Sequence, residues 1–168
     1  MAEETGAAGE ETLGNGADNM PQVGIISQYV KDLSFENPNA PAVYQWQVQP
    51  QIDVQFNISS AKVADDIYEV VLKTEVRASG DQGVAFAVEL SYAGLFGIRN
   101  VPEEQIQPFC YAEAPRLIFP FARRVLADAV RDGGFPPLML EPIDFAGLYM
   151  QQAQQAAQLG EGQPAGQA

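Results

Sequence analysis

Between Gln51 and Tyr92 the chain alternates apolar and polar residues in three consecutive runs, and this period of two constrains the fold more than any other feature. In residues 51–59, Ile52, Val54, Phe56 and Ile58 alternate with Gln51, Asp53, Gln55, Asn57 and Ser59. In residues 67–77, Tyr68, Val70, Leu72 and Val76 share one side, while Glu69, Lys73, Glu75 and Arg77 share the other. In residues 84–92, Val84, Phe86, Val88, Leu90 and Tyr92 lie opposite Ala85, Ala87, Glu89 and Ser91. Asp65-Asp66 and Ser79-Gly80-Asp81-Gln82-Gly83 have turn chemistry, so the three strands should follow one another as an antiparallel meander. One-sided alternation means that one face of the sheet is covered and the other meets water.

A fourth, less regular strand precedes these at residues 23–35. If it stays extended, Ile25, Tyr29, Leu33 and Phe35 share one face, and Gln28, Asp32, Ser34 and Glu36 the other. Residues 37–46 form the connection to the meander, and Pro38 and Pro41 argue against a regular element there. Helical signals begin only after the sheet. Pro102-Glu103-Glu104 opens a short helix, and Pro108 limits or kinks it. Pro115 opens a longer helix to about Arg131, with Ile118, Phe121, Ala122, Val125 and Ala129 at helical spacing and Gly133-Gly134 at its end. Asp144 is an N-cap candidate for a last helix through Phe145, Leu148 and Tyr149. Strands first and helices afterwards predict an α+β fold: a four-stranded antiparallel sheet with helices packed on one face.

The 168 residues suit one domain, and 46% hydrophobic composition supports a core. The ends differ. Residues 1–22 carry Glu3, Glu4, Glu10, Glu11 and Asp18 without a base, and residues 153–168 are mostly Gln, Ala and Gly. Both read as flexible tails around a domain at residues 23–152. The formal charge of −13, from 22 acids and 9 bases, disfavours nucleic acid and acidic membrane surfaces and attracts basic polypeptides. A solubilising role explains the same charge equally well. No apolar run reaches the length of a membrane span, about 18 residues, and an acidic start without a basic-then-apolar order points to the cytoplasm.

Catalytic chemistry is poorly provided for. The chain has no histidine and one cysteine, which removes the commonest general base, the usual triad partner and a Cys or His metal cluster. No cofactor is expected. Cys110, between Phe109 and Tyr111, reads as a small core residue. Asp65-Asp66 is the adjacent carboxylate pair; turn formation accounts for it, and an acid-pair hydrolase is the remote alternative.

Two features could carry binding. Tyr44, Trp46, Phe135 and Tyr149 place aromatic rings on irregular segments or beside them, where they line an apolar groove or simply seal the core. Asp32, Glu36, Glu69, Glu75 and Glu89 put acid on the wet sheet face, which is either a docking surface or an ordinary solvated one.

Several strings resemble a known family. Lys31-Asp-Leu-Ser-Phe-Glu-Asn-Pro-Asn-Ala-Pro41, Asp65-Asp-Ile-Tyr-Glu-Val-Val-Leu72, Leu117-Ile-Phe-Pro-Phe-Ala-Arg123, Gly134-Phe-Pro-Pro-Leu138 and Pro142-Ile-Asp-Phe-Ala-Gly-Leu-Tyr-Met150 resemble, in order, segments of the bacterial export chaperones of the SecB family. The resemblance implies a homotetramer, built as a dimer of dimers, that holds unfolded precursor polypeptides without nucleotide and delivers them to the motor SecA. It implies that a basic segment of SecA docks on the acidic face, at Asp32, Glu36, Ala87 and Glu89. It assigns the client side to Tyr44, Trp46, Phe135, Leu148 and Tyr149. Ala87 is smaller than the residue usual in the family, Pro108 interrupts a helix of the family's tetramer interface, and the C-terminal tail lacks Lys and Arg. A passive adaptor, docking a folded basic partner without holding unfolded chains, is the rival reading.

Overall fold

The computed structural model describes residues 19–161. Strand β1 spans Gln22–Glu36, β2 Gln51–Ala64, β3 Ile67–Gly80 and β4 Gly83–Arg99. They form one antiparallel sheet in the order β1-β4-β3-β2. The expected meander is therefore β2-β3-β4, and β1 adds to its far edge. All four strands run past the expected ends: β2 keeps ladder partners after its apolar alternation has faded, as at Ser60↔Val70 and Lys62↔Tyr68, and in β4 Phe96 and Ile98 continue the buried face.

Helices cover one face. Helix α1 spans Glu103–Pro108, a π-turn follows at Phe109–Glu113, and α2 spans Ala114–Asp132. These segments are continuous, whereas the sequence suggested two separate helices. Prolines 108 and 115 each lack a donor and crowd the carbonyl four residues back, and the wide π-turn between them accommodates both without a break. Gly133 ends α2, and Gly134 turns the chain at φ 86°. Asp144 Oδ1 accepts from the Gly147 amide at 3.0 Å, so the expected N-cap opens α3, Phe145–Glu161.

The core lies between α2 and the two central strands. Val70, Leu72, Val76 and Ala78 of β3 and Phe86, Val88, Leu90, Tyr92, Phe96 and Ile98 of β4 meet Ile118, Phe119, Ala122, Leu126 and Val130 of α2. Gly94 lets the helix approach: a Cβ there would stand 2.8 Å from Phe96 and 3.1 Å from Ile118.

Three expectations change. Register shifts between Ile25 and Ser27 and between Val30 and Asp32 move Tyr29 to the open face and Gln28 to the covered one, where it accepts from the Tyr92 hydroxyl. The connection of residues 37–50 contains a short 3₁₀ turn, Ala42–Gln45, which tolerates Pro41 because a turn needs no donor at its start. Helix α3 passes the expected domain boundary at 152 and continues as an exposed extension, in keeping with the high helix propensity of Ala and Gln. Of the tails expected at residues 1–22 and 153–168, residues 1–18 and 162–168 lie outside the described residues.

Candidate functional site

The open face of the sheet carries an acidic end. Cross-strand rows place Ser34, Glu89 and Glu75 side by side, with Glu36, Ala87, Arg77 and Asp53 in the next row and Asp32 beside Ser91 and Lys73. Asp32, Glu36, Ala87 and Glu89 are thus brought together on one face, and Asp53 joins them. Asp53 was visible as an alternating polar residue, but its place beside Arg77 depends on register and not on local pattern. Around Ala87 the side chains of Asp53, Gln55, Glu75, Arg77 and Glu89 border a shallow hollow of about 190 Å³.

Glu75 and Glu89 face each other directly, an arrangement that like charges resist. Lys73 offsets it. Its Nζ lies 2.9 Å from Glu75 Oε1, and its ammonium is held above the ordinary lysine range by the bond to Glu75, then by the charges of Glu75 and Glu89.

Glu69, also expected among these acids, sits apart. It accepts from the Tyr29 hydroxyl and from Lys31 Nζ, the latter at 2.9 Å. These bonds hold its carboxyl below the usual range, and the same contact pushes Tyr29 up to about 12. Its charge is committed within the sheet.

The residues expected on the client side fall into two clusters. At one end, the rings of Phe35, Phe86, Phe135 and Tyr44 form a column, with successive centroids 6.0, 4.8 and 5.6 Å apart. Trp46 packs, partly buried, against the core from the same connection. At the other end, Tyr149 stacks on Tyr111 at 6.2 Å, and Phe145 meets Phe56 and Phe119 edge-on. Leu148 and Tyr149 there border a small hollow of about 90 Å³ with Phe56, Ile58 and Tyr111. Between the two clusters run the covered-face residues of edge strand β2: Ile52, Val54, Phe56 and Ile58. The sequence alternation marked this line, yet only the fold shows that it joins the aromatic groups.

Asp65 and Asp66 make the β2-β3 turn, with Asp66 at φ 57° and its carboxylate 3.7 Å from Arg99. Cys110 is buried, and burial pushes its thiol up. Among the described residues no helix is long and apolar enough to cross a membrane.

An acidic open face and an apolar line along one edge are two surfaces that suit binding. Comparison with known proteins agrees. Residues 16–156 match the sequence model of SecB, described as preprotein translocase subunit SecB, and the chain belongs to that family of export chaperones. A protein-export protein SecB from Rhizorhabdus wittichii is 66% identical over 168 residues, covering 100% of both chains. One from Zymomonas mobilis is 68% identical over 151 residues, 90% of this chain and 92% of the relative. Among solved structures, a SecB-like chaperone of Mycobacterium tuberculosis in complex with a ChAD peptide from the HigA1 antitoxin shares the fold. Its TM-score is 0.60 at 16% identity, over 72% of this chain and 90% of that one.

Proposed function

We propose that the chain is a cytoplasmic holdase, which binds unfolded precursor polypeptides and delivers them to SecA. The observation that carries this reading is the separation of two surfaces on one small domain. The apolar line between the aromatic clusters suits extended, poorly folded chains, because it offers side-chain contacts without a demanding motif. The acidic end of the open face suits a basic segment of the motor, with Asp32, Glu36 and Glu89 as its anchors and Ala87 as the flat floor between them. The peptide held by the mycobacterial SecB-like chaperone supports polypeptide as the ligand class.

The working form is a homotetramer, a dimer of dimers. Support comes from apolar side chains exposed on the single chain: Val23, Ile25, Val30 and Leu33 on β1 and Phe121 on α2. Several sites on one client raise the overall affinity without new contacts.

The test is binding of a reduced, unfolded precursor without nucleotide, with native mass spectrometry in parallel. Binding by a species near four chain masses is expected. A monomer that ignores unfolded chains but binds the motor would establish the adaptor instead.

A further inference from the structure

We infer that the connection of residues 37–50 is a door over the aromatic column, held shut by a latch made of Asn37, Tyr44 and the end of α2. The inference rests on the proposed client role of that column and adds how access to it is controlled.

The connection is fixed at two points. Asn39 Nδ2 donates to the carbonyl of Val84 at 2.7 Å, which secures its first residues to β4. Further on, the Tyr44 hydroxyl donates to the Gly133 carbonyl at 2.8 Å, and Asn37 Nδ2 donates to both that carbonyl, at 3.2 Å, and the Tyr44 oxygen, at 2.8 Å. The closed arrangement buries Val43 and lays the Tyr44 ring on Phe135. Phe135 in turn covers the buried Phe86.

Two features make this closure reversible. The Tyr44 side chain is half exposed, so its bonds compete with water. Asn37 spends its amide nitrogen on the latch and leaves Oδ1 buried without a partner, a cost that exists only while the latch is closed. A latch with bonds on one side and an orphaned acceptor on the other lies near balance. Opening would release Oδ1 to water or to the backbone N–H of an incoming chain and uncover Phe86 and Phe135. Asn37 and the Tyr44 hydroxyl are therefore positioning residues: they set the fraction of molecules whose column is accessible.

Tyr44→Phe tests this, because it keeps the ring and deletes the hydroxyl. Hydrogen exchange in residues 42–48 should quicken while β3 and β4 stay protected. Association with an unfolded client should quicken in step, by about threefold to tenfold, as the open fraction rises. Asn37→Asp keeps the buried oxygen, replaces the other donor by an acceptor facing the Gly133 carbonyl, and should act in the same direction, with both variants keeping the oligomeric mass of the wild type. Unchanged exchange in both variants would mean that there is no latch. Faster exchange with unchanged or slower client association would mean that the connection moves without gating the column. Either result overturns the door. A wild-type protein that fails to bind the client overturns the proposed function, whatever the exchange shows.

Discussion

Glu75 and Glu89 stand opposite each other on neighbouring central strands, on the side of the sheet that no helix covers, and the ammonium of Lys73 lies against Glu75. An arrangement that costs stability in isolation is informative when it sits on an open surface, because a cationic partner relieves the repulsion on arrival.

Glu89→Lys should therefore weaken the proposed docking of SecA's basic segment by about tenfold to a hundredfold, since an attraction becomes a like-charge contact. Client binding should remain, because the apolar line lies on the other face. Titration calorimetry with the two ligands checks this. Equal loss of both would point to damaged assembly. Docking by the wild type should also weaken with added salt.

The Tyr29–Glu69 contact gives two pH dependences of opposite sense. Glu69 is depressed in the fold, so its contribution is present above its unfolded value and is lost as pH falls through its folded one. Glu69→Gln should flatten the fall of the melting temperature on the acid side. Tyr29 is raised to about 12, so its contribution is complete below the ordinary tyrosine value and is lost as pH rises through about 12. Spectrophotometric titration should show a late-ionising tyrosine that disappears in Glu69→Gln.

Gly94→Ala should destabilise the domain by about 1–3 kcal/mol, because the new methyl overlaps Phe96 and crowds Ile118 where α2 approaches β4. Urea unfolding measures this, and a neutral result would mean that the helix can shift outward freely.

Phe145→Ala should loosen α3 selectively. Phe145 is the buried ring of that helix, edge-on to Phe56 and Phe119, while residues 151–160 are exposed. Hydrogen exchange should rise in α3 and stay low in β3 and β4.

The sheet and its covered face were legible because alternation is a local property: Val70, Leu72, Val76, Phe86, Val88 and Leu90 are buried on the side that the pattern assigned them. The face of Tyr29 was not, because a bulge adds a residue without leaving a mark in the sequence. The place of Asp53 and the surroundings of the apolar line along β2 were hidden for a related reason, since their neighbours are set by pairing with β3. The extension of α3 had a signal in its Ala and Gln content, which a reading based on apolar burial discounted. Asp32, Glu36 and Glu89 were visible as charges, but the docking role proposed for them came from the family resemblance.

The π-turn has a consequence for timing along the helical segment. Ile106, Cys110, Ala114, Ile118, Ala122, Leu126 and Val130 recur at strict intervals of four residues, and all but the partly buried Ile106 are fully buried. In an uninterrupted α-helix each such step drifts by about 40° around the axis, so Ile106 and Ala114 would stand about 80° apart. The wide turn takes up one residue between them and brings the two back to within about 20° of each other, so Ile106 and the start of α2 face the core on the same side. Deleting one residue from Phe109–Glu113 should therefore close the turn into a regular α-helix whose two flanks stay in phase.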